Sequence, residues 1–430
     1  MTARVGRARR GRNEARLRAS PAALSTKAGA SAKGRGKKQS KPQAPKLPAL
    51  AARDYETVVL VLQGGGALGA YQCGVYEGLD AAGIRPDWFA GISIGAINAA
   101  LLAGNAPERR VELLREFWQR ISTPALPLPP QVFDWQRQWL DALPKFSPLQ
   151  ALTNSAGALT ALLHGQLGFF VPRVPPPYAA TPGSGAATSF YSTAPLRATL
   201  EALVDFDRIN HASAPRLTLG AVNVGNGNFV YFDNREVAIG VEHVLASAAL
   251  PPAFPPVEID GECYWDGGLV SNTPLEYVLD STPRRDTLAL QVDLWSARGQ
   301  LPRTLGDVLE RQKDIQYSSR TRRGTDTAAE QQRLRLALGE LIKRLPGKRV
   351  PPALAGAFDA WTCTKVLNIV HLIYQAKSYE EQYKDYAFGP LAMGEHWAAG
   401  LGDMQRTLAC PHYFALPSRD VGVVTHDIHR

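Results

Sequence analysis

The sequence predicts an α/β fold: a three-layer sandwich around a mostly parallel central sheet, with a helical C-terminal extension. Three observations carry this reading. A continuous apolar, β-branched run, Thr57-Val-Val-Leu-Val-Leu62, reads as a strand buried on both faces. It leads directly into Gly64-Gly-Gly66 and then a helix-period segment, Ala67 to Ala82, that stops at Gly83. The same rhythm then repeats: a short strand around Asp87–Ala90, the turn Gly91-Ile-Ser-Ile-Gly95, and a small-residue helix from Ala96 to Ala103 that ends at Gly104.

With 430 residues the chain is long enough for one large or two smaller domains. It contains no run of about 18 apolar residues, so the expected membrane contact is peripheral rather than spanning. The net charge of +9 is unevenly placed. Residues 1–50 hold 14 Lys and Arg against the single acid Glu14, a charge of +13, which leaves −4 for the rest. Residues 1–53 are read as a disordered basic tail, because they have too few large apolar side chains to offset the entropy of ordering. The tail lacks the apolar core of a secretory signal, while its Arg-rich composition also fits an organellar transit peptide. Its expected partner is an anionic membrane surface contacted by residues 1–50, with no specific nucleic acid partner. Cys73, Cys263, Cys363 and Cys410 are widely spaced with no CxxC pair. That argues against a disulfide framework or zinc site and for a reducing, cytoplasmic setting.

The folded α/β domain is placed at residues 54–300. Within it, residues 122–190 are rich in Pro and small residues and read as an insertion or cap over the core. From Arg216 a β pattern returns as LTLGAVNV, a Gly-Asn-Gly-Asn turn and FVYF, a hairpin. A short helix, Val241 to Ala249, comes next, then a short strand at Val257–Asp260 with a turn at Gly261. The strand Leu288–Leu294 is expected to close the sheet. Residues 301–430 read as mainly helical, including the run VLNIVHLIY around His371.

Three motifs carry chemistry. In Gly91-Ile-Ser-Ile-Gly95 the glycines on either side of Ser93 allow a sharp strand-to-helix turn that exposes its hydroxyl, and the following helix directs N–H groups and positive dipole at a developing anion. In Gln63-Gly-Gly-Gly-Ala-Leu-Gly-Ala70 consecutive glycines let backbone N–H groups approach an oxyanion. Gly64-x-Gly66-x-x-Gly69 also spells the dinucleotide-binding fingerprint. That alternative needs an acid at the end of the second strand, whereas Asp87 lies at its start and the end is taken by the serine turn. The third motif, Tyr264-Trp-Asp-Gly-Gly268, sets an acid in a glycine turn. Taken alone it is an ordinary Asp-Gly turn, and the Tyr264-Trp265 pair fits either core packing or an acyl pocket.

Together, in this order, the motifs resemble those of the patatin-like phospholipases: a G-G-G-x-x-G turn at Gly64–Gly69, G-x-S-x-G at Gly91–Gly95, and D-G-G at Asp266–Gly268. The flanking stretches GGGALGAYQCGVYEGL and ALPPAFPPVEIDGECYWDGGLVSNTPL are similar too, and the likeness covers about residues 57–295. The resemblance implies a serine acyl hydrolase that cleaves lipid acyl esters without cofactor, metal or calcium. Ser93 would be the nucleophile and Asp266 the proton acceptor. The amides of Gly64, Gly65 and Gly66 would form the oxyanion hole, Gly91 and Gly95 would shape the elbow, and Gly267 and Gly268 would shape the acid's turn. Leu68 departs from the pattern, since plant members carry a basic residue there, and this leaves phospholipid versus neutral ester open. The alternatives are a storage polyester or thioester as substrate, a non-catalytic lipid-surface protein, or a triad completed by His371, His396 or His412. None of these histidines sits in a glycine-bounded turn.

Overall fold

In the computed structural model the described residues are 54–122, 157–344, 361–376 and 383–428. The basic tail and the first part of the insertion therefore lie outside them. Of the main-sheet strands, β1 is Thr57–Leu62, β2 is Trp88–Gly91, β5 is Arg216–Asn223, β6 is Phe229–Asp233, β7 is Val257–Ile259, β8 is Glu262–Asp266, β9 is Thr287–Asp293, β10 is Leu367–Ile373 and β11 is Val423–Asp427; β3 (Val171–Pro172) and β4 (Tyr191–Ser192) form a separate small pair. The helices are α1 (Ala70–Ala81), α2 (Ile94–Ala103), α3 (Arg110–Ser122), α4 (Ala194–Leu203), α5 (Phe206–Ile209), α6 (Val241–Ser247), α7 (Leu275–Asp280), α8 (Leu305–Arg344) and α9 (Pro390–Leu408).

The nine main strands form one sheet in the order β11-β10-β9-β1-β2-β5-β8-β7, with β6 also on β5. From β11 through β5 all neighbours are parallel; β6, β7 and β8 pair antiparallel. The first parallel strand behaves as its composition demands, with all six residues of β1 buried. The sheet does not end at Leu288–Leu294 as the sequence suggested. β10 lies parallel to β9, and β11 parallel to β10. The run around His371, read as helix-like, is therefore a strand, and all seven residues of β10 are buried. A short segment buried on both faces carries no alternation, so its type is decided by the strand beside it. The C-terminal part is otherwise helical, dominated by the 40-residue α8 and the 19-residue α9. Helix α9 packs on α1 closely enough that Cβ atoms at Gly74 and Gly400 would each collide with the partner's backbone.

Helix α1 stops where the sequence placed its end. Gly83 takes φ 73. Its N–H donates to Asp80 O at 2.9 Å and the Ile84 N–H donates to Leu79 O at 3.0 Å, the paired bonds of a Schellman cap. The hairpin β5–β6 and the helix α6 also form as expected. Asp260 (φ 51) and Gly261 (φ 82) make the two-residue turn of the β7–β8 hairpin, and both positive φ values suit its mirror-type geometry.

No helix among the described residues is long and apolar enough to cross a membrane.

Candidate active site

Parallel neighbours release their connections at the same edge of a sheet. Strands β1 and β2 are such neighbours, with Leu62 paired to Gly91, so the glycine turn after β1 and the serine turn after β2 emerge side by side. The acid arrives by a different route. Strand β5 pairs with β2 up to Leu219, which faces Gly91, and then with β8, where Ala221 faces Asp266. One strand thus carries both the end of the nucleophile strand and the acid, two residues apart.

Ser93 sits at the N-terminus of α2 with φ 58 and ψ −126. This strained backbone for a residue with a Cβ has to be imposed by its surroundings. The glycines make it achievable: a Cβ at Gly91 would collide with the Gly95 carbonyl, and one at Gly95 with the Leu62 carbonyl. Ser247, the last residue of α6, completes the support. The Ser93 N–H donates to Ser247 O and Oγ, both at 3.2 Å, and Ser247 Oγ donates to Gly220 O at 2.6 Å. Gly220 lies on β5 between Leu219 and Ala221, so Ser247 ties the elbow to the strand that holds Asp266.

Asp266 is buried. Its Oδ1 accepts the Gly268 N–H at 2.7 Å and its own N–H donates to Ala249 O at 3.0 Å. Its Oδ2 is buried without a fully formed hydrogen bond. Burial raises the carboxyl, hydrogen bonding from Ser93 and from the Gly268 N–H offsets part of the rise, and the net result is a pKa of about 7. An incomplete serine–carboxylate bond is common before substrate tightens a site. A Cβ at Gly267 would lie 2.7 Å from Gly220 O, which explains the first glycine of the D-G-G turn.

The glycine turn divides its amides. The Gly64 N–H donates to Asn272 O at 3.2 Å and is thereby committed. Gly64 O accepts from Asn272 Nδ2 at 3.0 Å and from Trp295 Nε1 at 2.9 Å. Among the described residues, the Gly65 and Gly66 N–H groups donate to nothing. Of the three amides expected to face an oxyanion, the first is used to fix the turn and these two are left unbonded. Asn272 was invisible as a site residue in the sequence. Gly66 has φ 56, and a Cβ there would collide with the Asp385 carbonyl. Gly66→Ala is expected to lower ester hydrolysis by about 10²-fold, comparable to loss of one oxyanion donor, with the circular dichroism spectrum unchanged.

The two competing readings of these motifs lose their geometry. Asp87 precedes β2 and accepts the Val58 N–H at 3.3 Å, at the end of the sheet opposite to the glycine turn. Burial raises it to about 6. A ribose-binding acid would have to stand at the other end of β2. For a triad, a histidine would have to reach Asp266. The influences on that carboxyl are burial, Ser93 and Gly268, and no histidine acts on it among the described residues. His371 is buried in β10, His396 places Nδ1 3.3 Å from Ala67 O, and His412 packs against Tyr413 and His426. Tyr264 packs edge-on against Phe232 at 5.2 Å, which favours the core-packing role for that aromatic.

A mostly parallel sheet that presents a serine elbow, a glycine turn and a buried acid at one edge has the layout of an α/β acyl hydrolase. The patatin-like phospholipase family model matches residues 60–279, slightly more than half of the chain, and a second model, described as patatin phospholipase, matches residues 315–420. The chain belongs to the patatin-like phospholipase family, and its function is lipid acyl hydrolysis. Among solved structures, VipD from Legionella pneumophila is similar at 13% identity and a TM-score of 0.34, over 82% of this chain and 67% of that one. A comparison with curated proteins gave no match.

Proposed function

We propose that this lipid acyl hydrolase works through a Ser93–Asp266 dyad and an acyl-enzyme, with phospholipase A-type ester cleavage as its reaction. The observation that carries the reading is the shared edge of β5, which brings Gly91 and Asp266 to within two positions of one another. The Asp266 carboxylate takes the Ser93 hydroxyl proton as Oγ attacks the ester carbonyl carbon. The carbonyl π electrons move onto oxygen, where the Gly65 and Gly66 N–H groups and the N-terminus of α2 stabilise the charge. Collapse expels the alcohol, which leaves with the proton held by Asp266. Water then attacks acyl-Ser93, gives its proton to Asp266, and the second collapse releases the fatty acid and restores Ser93. The basic residues 1–50, which lie outside the described residues, are assigned the peripheral contact with anionic lipid.

The test is hydrolysis of p-nitrophenyl acyl esters beside fluorescent phospholipids labelled at either acyl position. Phospholipid cleavage above ester cleavage supports the phospholipase assignment. Activity confined to thioesters or polyesters would replace the substrate while keeping the dyad.

A pH dependence follows from the buried acid. Asp266 must be ionised to accept a proton, and its pKa is raised to about 7. The value of kcat/KM should therefore fall about tenfold per pH unit below 7 and level off above it. A profile already flat from pH 5 upward would remove Asp266 as the base.

A further inference from the structure

The Gly65 and Gly66 peptides can turn their N–H groups toward an oxyanion only if the chain on both sides is held. Glycines supply no side chain to do this. On the N-terminal side, Gly64 is fixed at both its polar backbone atoms by Asn272 and Trp295. On the C-terminal side the next amide, Ala67 N–H, donates to Asp385 O at 2.8 Å. Asp385 is more than 300 residues away in sequence and lies in the C-terminal part that the second family model covers.

What holds Asp385 is a single stripe of α8. Lys313 Nζ donates to Asp385 Oδ1 and Oδ2 at 2.8 and 2.9 Å and to Tyr386 Oη at 2.8 Å. The adjacent Lys384 is buried and donates to Glu310 Oε1 at 2.8 Å and Asp314 Oδ1 at 2.9 Å. One turn on, the Tyr317 ring lies 4.9 Å from that of Trp295, the residue that holds Gly64 O. Positions 310, 313, 314 and 317 fall on one face of a helix. The same face of α8 therefore steadies both flanks of the glycine turn, by ion pairs on one side and an aromatic contact on the other.

We propose that the Lys313–Asp385 pair is a positioning element of the oxyanion hole, through which the C-terminal region sets the direction of the Gly65 and Gly66 N–H groups. The inference rests on the assignment of those two amides as the oxyanion donors. The pair touches no reacting atom; it acts by placing the Asp385 carbonyl that receives Ala67 N–H. Substrate binding should be little affected, because the donors matter most once charge has moved onto oxygen.

The experiment compares a p-nitrophenyl acyl ester with its thiono analogue, in which sulfur replaces the carbonyl oxygen. Sulfur is a poorer and longer hydrogen-bond acceptor, so an enzyme with a well-placed hole prefers the oxygen ester strongly. The full-length wild type, Lys313→Met and Lys313→Arg are assayed, with Lys343→Ala on the exposed end of α8 as control. Lys313→Met is expected to lower kcat on the oxygen ester about 10- to 100-fold with KM within about twofold, and to shrink the oxygen-to-sulfur preference by about tenfold. Lys313→Arg, which retains the charge and two or more donors, should recover most of both. Should Lys313→Met fail to fold, Tyr386→Phe is read instead and should shift the preference in the same direction by a smaller amount. A wild-type preference that persists unchanged in a folded Lys313→Met or in Tyr386→Phe overturns the inference, as does loss of kcat with the preference intact. A wild type that shows no preference would instead refute the oxyanion assignment itself.

Discussion

Ser93→Ala is expected to lower the hydrolysis of p-nitrophenyl acyl esters by about 10³-fold or more, because a nucleophile and its base act as one unit. The residue sits at φ 58 and ψ −126, held by Gly91, Gly95 and Ser247, so an alanine at this position takes the same backbone without new contacts. The melting temperature should stay close to that of wild type. Ser93→Gly should be equally inactive yet more stable by about 1 kcal/mol, since glycine removes the cost of holding a Cβ at this φ and ψ. If Ser93→Ala keeps substantial activity in purified, folded protein, the nucleophile lies elsewhere.

Asp266→Asn should lose activity on a similar scale and gain stability above neutral pH. The sign follows from linkage. In the folded chain Asp266 is raised from its ordinary value near 4 to about 7. Between these values the folded state binds the proton and the unfolded state does not, so stability falls as pH rises across that window and is lowest above it. At 1.36 kcal/mol per pH unit, the folded chain carries up to roughly 4 kcal/mol of cost from the buried carboxylate at pH 8. A neutral amide of the same shape does not carry that charge. Thermal unfolding of wild type and Asp266→Asn at pH 5 and pH 8 reads the difference. The variant should gain about 3 kcal/mol more at pH 8 than at pH 5, because two of the three pH units of that window lie above pH 5. Equal melting temperatures at both pH values would mean that the acid is not strained by burial.

The parts of this molecule that were legible in the sequence are those set locally. The buried run of β1, the glycine that caps α1, the turn at Gly261 and the glycines around Ser93 each answer to a backbone requirement within a few residues. The order of motifs then places the glycine turn and the serine turn side by side, because parallel strands deliver their loops to one edge, whereas Asp266 comes in on the antiparallel β8. What was not legible depends on distant partners. Strand β10 looks helix-like because seven buried residues in a row show no period, and only β9 and β11 beside it decide the matter. The commitment of Gly64 to Asn272, the support of Ser93 by Ser247, and the Asp385 carbonyl on Ala67 join residues 154 to more than 300 positions apart. Nothing in Asn272 or Asp385 marks them out in their own stretch of chain. Their significance comes from the glycine turn, which has no side chains with which to hold itself.

The central claim is that Ser93 is the nucleophile and Asp266 activates it directly. The most direct measurement is covalent labelling by a fluorophosphonate, followed by mass mapping of peptides, in wild type, Ser93→Ala and Asp266→Asn across pH 5 to 9. The account predicts one modified residue, Ser93, whose labelling rate rises through about pH 7 in wild type and is slowed by about 10²-fold or more in Asp266→Asn. Labelling at another residue, or at Ser93 with a rate indifferent to Asp266→Asn, would contradict it.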